Sequence, residues 1–186
     1  MLAHQGSNQG SVSRPRNRAA APLLWVSTLA MGWMAGFFWA FAVLVMPALT
    51  KVDDRSFVFA MQNINRGVQT GGFAFGFFGA FLFSGAAAIV YNKMGRKAAA
   101  RWILVAVVLY VVALAITFGG NIPLNDKLEA FGDPEKITDF AAARAAFDEG
   151  SWATLNFVRM VASSLGMLAL AAAFRESGRA ERAQIG

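Results

Sequence analysis

Arg159 stands about seven residues inside an otherwise uncharged apolar run, roughly 10 Å along the axis if the run is helical. Trp152, Asn156, Arg159 and Ser163 follow one another at spacings of four, three and four, which puts all of them on one face of that helix. Burying a guanidinium there costs about 2.5 to 3.5 kcal/mol on insertion scales, so it must face the bundle interior, a partner or water. Two further polar clusters meet the membrane from the same side. One is Gln62, Asn63, Asn65, Arg66 and Gln69; the other is Thr117, Asn121 and Asn125 in the stretch Thr-Phe-Gly-Gly-Asn-Ile-Pro-Leu-Asn. The apolar runs hold no carboxylate, so the partners of Arg159 are carbonyls, amides such as Asn63, Asn65 or Asn121, a loop acid such as Asp126 or Glu129, or a bound ligand. An anionic or carbonyl-bearing ligand suits it.

Two readings compete for these residues. In the first, Arg159 and the asparagines cap broken helix ends and tie the bundle together, because backbone groups near lipid must be satisfied internally. In the second, Asn63, Asn65, Asn121, Asn125, Trp152, Asn156 and Arg159 are the ligand-binding residues of an outward-facing pocket. That pocket would take a small, flat hydrophobic or lipid- or quinone-like molecule, walled by Trp33, Trp39, Phe73 and Phe77 if those rings face inward. A structural or accessory role in a larger membrane complex is a further alternative. A proton-coupled carrier of this size normally needs an intramembrane carboxylate, and none is present.

Several chemistries are excluded by residue counts. The chain has no cysteine, which removes disulfides, thiolate nucleophiles and Cys-ligated metals. Its single histidine, His4, lies in a polar segment, so neither a multi-histidine metal centre nor a Ser-His-Asp triad can be built within one chain. No metal and no cofactor are expected, and no catalytic residue is assigned from the pattern alone.

The elements that must position the clusters are membrane spans. Of 186 residues 56% are hydrophobic and 15% charged, a balance that calls for lipid as solvent. Four apolar runs, about 23–49, 68–91, 102–118 and 152–174, are long enough to cross a hydrocarbon core of roughly 30 Å. The first lacks the short apolar core and the clear cleavage site of a signal peptide, so it reads as an uncleaved helix. The net charge of +6 comes from residues flanking the runs, which points to the anionic leaflet rather than to nucleic acid. Arg14, Arg16 and Arg18 precede the first run; Lys93, Arg96, Lys97 and Arg101 separate the second from the third; Arg175, Arg179 and Arg182 follow the fourth. The positive-inside rule then places both termini in the cytoplasm of an inner-membrane protein.

The expected fold is therefore all-α: an up-down four-helix membrane bundle, N-in and C-in, with short amphipathic helices in both outer loops. Residues 1–21 read as a disordered basic tail, 22–175 as the membrane domain and 176–186 as a cytoplasmic tail. In the first outer loop Asp53 caps a helix whose Phe57, Met61, Ile64 and Val68 form an apolar stripe running into the second span. In the second, Asp133-Pro134 is a helix start, followed by Ile137, Phe140, Arg144 and Phe147 until Gly150 and Ser151 break the helix. Gly32 and Gly36 in the first span and Gly72, Gly76 and Gly79 in the second allow close helix packing, within the bundle or between subunits of a homo-oligomer.

At the polar clusters the chain resembles the anthrone oxygenase-like family of small four-helix membrane proteins. The matching elements are Met-Gln-Asn-Ile-Asn at 61–65, Asn-Ile-Pro-Leu-Asn-Asp-Lys-Leu at 121–128 and Trp-Ala-Thr-Leu-Asn-Phe-Val-Arg at 152–159, and the similarity spans about 25–174. The resemblance implies that Asn65, Asn121, Asn125, Trp152, Asn156 and Arg159 occupy the family pattern. It also implies a possible activity: some members oxidise polyketide anthrones to anthraquinones with molecular oxygen, without metal or flavin. Such a site would stabilise a phenolate or enolate, a task that Arg159 and amide donors suit. The only bases left for it are Asp126, Glu129 or the substrate's own acidity.

Overall fold

The computed structural model describes residues 19–182, and the basic residues before position 19 lie outside it, as do residues 183–186. Helix α1, Ala20–Ala40, begins two residues inside the segment expected to be a tail. It passes through a π-helical segment, Phe41–Val45, into α2, Met46–Leu49. These pieces form one rod of 30 residues, about 45 Å at the α-helical rise.

The first outer loop folds as the cap signal requires. The Asp53 carboxylate accepts from the Ser56 backbone N–H at 2.9 Å and from its hydroxyl at 2.7 Å, opening α3, Asp54–Gly67. Those two bonds hold its carboxyl below the usual carboxylate range. The stripe on α3 does not run straight into the second span, however. Thr70 is extended and accepts from Phe73 N–H through its hydroxyl, so α4 starts anew at Gly71 and runs to Lys93.

The third span is longer than its apolar run. Helix α5, Lys97–Ile116, continues through a second π-helical segment, Thr117–Asn121, into α6, Ile122–Glu129. In the second outer loop Asp133 closes only a turn, accepting from Glu135 N–H. Asp139 is the true cap, accepting from Ala142 N–H at 2.9 Å to start α7, Phe140–Phe147. The break after α7 falls at Asp148, which is left-handed at φ 51°, rather than at Gly150 and Ser151. Those two residues lie in the first turn of α8, Glu149–Arg182, where Asp148 accepts from Ser151 N–H. Helix α8 runs on through most of the segment expected as a C-terminal tail.

Among the described residues, four helical rods are long and apolar enough to cross a membrane. They pack in a closed ring, α1 on α4, α4 on α5, α5 on α8 and α8 on α1. One core fills the bundle, with Leu24, Met31, Phe38, Ile103, Tyr110 and Leu170 buried; a second sits under the loops, built on Phe57, Met61, Leu128 and Phe147. The outer surface is apolar: Trp25, Leu44, Leu82 and Leu168 are each at least 60% exposed, a pattern that lipid rather than water accommodates. Trp33 and Trp39 belong to that surface and do not wall a pocket. Gly32 faces the Met167 sulfur and Gly76 faces Met34 within the bundle, whereas Gly36 and Gly72 face open space.

Arg144 joins the two outer loops. It donates to Val52 O at 2.8 Å and to Asp54 at 3.1 Å, pairs with Glu149, and lies 4.5 Å over the Phe57 ring. The planar fork serves several acceptors in fixed directions, which an ammonium cannot reproduce. Arg144→Lys should therefore loosen the cap almost as much as Arg144→Ala. Hydrogen exchange should rise in α3 and α7 for both variants, with the interior of α5 unaffected.

Candidate functional site

The clusters converge because two spans deviate from α-helical geometry at the same depth. In a regular helix the Pro47 ring would clash with the carbonyl of Val43, and the Pro123 ring with that of Gly119. Each π-segment begins six residues before its proline, Phe41 before Pro47 and Thr117 before Pro123, and widens the helix there. The last α-helical carbonyls before each segment then share one donor: Phe41 N–H reaches both Phe37 O and Phe38 O, and Thr117 N–H reaches both Ala113 O and Leu114 O. Side chains add a second donor. Asn156 Nδ2 donates to Phe38 O at 3.0 Å, and the Thr117 hydroxyl donates to Ala113 O at 2.8 Å.

Arg159 lies between the two segments. Its Nη1 donates to Thr117 Oγ1 at 3.1 Å and its Nη2 to Asn156 Oδ1 at 3.0 Å. The guanidinium carbon is 4.4 Å from the centre of the Phe38 ring and 5.5 Å from that of Trp152. Only 5% of the residue is exposed, it makes no ion pair among the described residues, and its Nε has no partner. A desolvated cation held by neutral oxygens and ring faces keeps most of its attraction for an anion.

Above it opens a cavity of about 550 Å³, within the size range of small-molecule sites. Arg159, Thr117 and Trp152 form its floor; Phe37, Phe38, Phe41, Phe73 and Phe77 supply apolar walls; Asn65, Gln69, Asn121, Asn125, Asp126 and Glu129 line the polar side. Phe78 and Phe118 also line it while being 48% and 53% exposed, so the cavity reaches the lipid-facing surface between α4 and the second π-segment.

The expected site residues divide into four groups. Asn65 and Asn121 line the cavity, each with a buried unpartnered atom, Nδ2 and Oδ1 respectively. Asn121 Nδ2 and Asn125 Oδ1 together hold Trp152, through its carbonyl at 3.1 Å and its indole N–H at 2.8 Å. Asn156 is fully buried beneath the floor as a support for Arg159 rather than a lining residue. Asn63 is not brought in: it is exposed and its amide turns back to Phe59 O at 2.8 Å. Gln62 clamps α3 to the α6 end, donating to Leu128 O and Gly132 O, and Arg66 pairs with Glu129 at 3.1 Å. Phe38, in the last turn before the first π-segment, and Phe41, its first residue, escaped sequence reasoning; the signal for them was a proline inside an apolar run.

The fold and cavity define a four-helix membrane bundle with a desolvated cation under an aromatic and amide-lined chamber. A family model described as anthrone oxygenase matches residues 59–169, 111 of the 186, and the chain belongs to that family. No curated protein and no solved structure matches it.

Asn156→Ala removes both an acceptor of the buried guanidinium and the donor to Phe38 O. Breaking such bonds to a charged group should cost about 2–3 kcal/mol of bundle stability, measurable by unfolding in mixed micelles.

Proposed function

We propose that the chamber binds a small, flat hydrophobic molecule bearing an ionisable oxygen, with that oxygen held as an oxyanion by Arg159. The observation that carries this reading is the buried guanidinium without a counter-ion under aromatic walls. The gap between Phe78 and Phe118 offers a lateral route from the bilayer, where such a molecule would partition. The basic segment Lys93 to Arg101 and the residues Arg175, Arg179 and Arg182 gather at the other end of the bundle, while every acid except Glu176 and Glu181 lies on the chamber side. That asymmetry supports cytoplasmic termini and an outward-facing chamber in an inner membrane.

Family membership favours a specific chemistry for the same site, oxygenation of an anthrone-type carbon acid. Deprotonation of the ring methylene gives an anthrolate whose charge sits largely on oxygen, next to Arg159. The carbanionic carbon adds molecular oxygen; loss of water from the resulting peroxide leaves a carbonyl. One oxygen atom enters the product, the other departs as water, and the two methylene hydrogens leave with it. Asp126 and Glu129 line the chamber and are the carboxylates placed to take the first proton and return it to the departing oxygen.

The purified protein with an anthrone under air should form anthraquinone faster than buffer and empty micelles. Arg159→Gln should lower that rate about a hundredfold or more, the usual effect of losing an oxyanion donor. Turnover at the uncatalysed rate with the anthrone still bound would leave a binding protein and overturn the oxygenase reading. Neither turnover nor binding of any phenolic probe would overturn both.

A further inference from the structure

At the opposite end from the chamber, the last turns of α4 and the first turns of α5 enclose a second cavity of about 620 Å³. We infer that this groove is a seat for one anionic phospholipid, its phosphate between Lys97 and Arg101 and an acyl chain along Ile89 and Leu104. The groove exists because Ala88 and Ala100, one from each helix, are too small to fill the space between the rods. Lys97, Ala100, Arg101 and Leu104 recur at helical spacing and share one side of α5. Both cations stand at the same rim, and above them Ile89 and Leu104 are 58% and 55% exposed, continuous with the lipid-facing surface.

The polarity of the rim selects the headgroup. No acid lines the groove. Lys97 Nζ donates to Asn92 Oδ1 at 2.9 Å, which holds the ammonium across the gap between the helices. The exposed Arg101 guanidinium has no partner among the described residues, so its five donors are available to phosphate oxygens. A soluble phosphate would meet the two cations only; a phospholipid also covers the apolar strip that continues from them. A zwitterionic lipid brings its own ammonium to the same rim, where Lys97 and Arg101 repel it.

Native mass spectrometry on the full chain, with a phosphatidylglycerol and a phosphatidylcholine of the same acyl chains, tests the assignment. The wild type should retain one phosphatidylglycerol under activation that strips phosphatidylcholine. Cations near a membrane surface contribute about 1 kcal/mol each, so the double variant Lys97→Gln, Arg101→Gln should bind phosphatidylglycerol about thirty-fold more weakly. Arg101→Glu, a single change at an exposed position, should abolish the preference between the two lipids while leaving the lipid-free melting temperature unchanged. Lys136→Gln, in the loop at the far end, should behave as wild type. Equal retention of both lipids by the wild type, undiminished phosphatidylglycerol binding by the double variant, or full displacement of the lipid by inorganic phosphate at about ten millimolar would each overturn the proposal.

Discussion

A charge buried inside a membrane bundle, with no counter-ion among the described residues, constrains everything around Arg159. Transferring the guanidinium out of water is tolerable only if its N–H groups and its face find compensation nearby. Two neutral oxygens, Thr117 Oγ1 and Asn156 Oδ1, take two of its donors, and the Phe38 and Trp152 rings lie against the cation. Each of these is fixed in turn. Asn156 is anchored on the Phe38 carbonyl, Thr117 on the Ala113 carbonyl, and Trp152 is held through its indole N–H by Asn125. Removing one member disturbs the rest, because the side chains that hold the cation are themselves bonded to backbone carbonyls of α1 and α5.

Those carbonyls lie in the last turn before the two π-segments that precede Pro47 and Pro123. Pro47 and Pro123 sit the same distance past a π-segment on two different spans, so the bundle carries a local structural repeat although its two halves share no sequence repeat. Broken helical geometry in hydrocarbon persists only where other groups restore the lost hydrogen bonds. Here the restoring groups are those that hold the cation. Tying the helix irregularities and lining the cavity, which look like competing explanations of the same polar residues, are compatible: Asn156 does the first, Asn65 and Asn121 do the second with an unpartnered atom each, and Thr117 does both.

The spans were legible because long uncharged runs have one physical solution in lipid, and the face shared by Trp152, Asn156 and Arg159 follows from helical spacing alone. The Asp53 cap was legible for the same reason, since its partner Ser56 is three residues away. What failed depended on side-chain direction or on a competing local signal. Trp33 and Trp39 sit on an apolar helix with no polar face to orient it, so nothing in the spacing separates lipid-facing from core-facing rings. Asn63 and Asn65 are two residues apart, which on a helix points them about 200° apart, and only Asn65 reaches the chamber. Asp133-Pro134 carries a stronger helix-start signature than Asp139, yet the helix starts at Asp139, where burial of Ala143 and Phe147 sets the phase. The π-segments left no trace in periodicity: an extra residue turns the helix face by about 100°, but a run that is apolar all round has no polar stripe to register the turn.

The charged groups that line the chamber come from different elements and do not pair with one another across it. The permanent cation is at the floor, where water is excluded and an oxyanion gains most. The carboxylates come from α6, where Glu129 is already tied to Arg66 on α3 and Asp126 lies one turn nearer the second π-segment. A base at the floor would neutralise Arg159 by forming a buried ion pair, and the site would then hold its own counter-ion in place of a ligand's. Among the described residues neither carboxylate pairs with Arg159, which keeps the cation available. The position of α6 relative to α3 is set outside the spans, by the Gln62 clamp on Leu128 O and Gly132 O and by the Arg66–Glu129 pair.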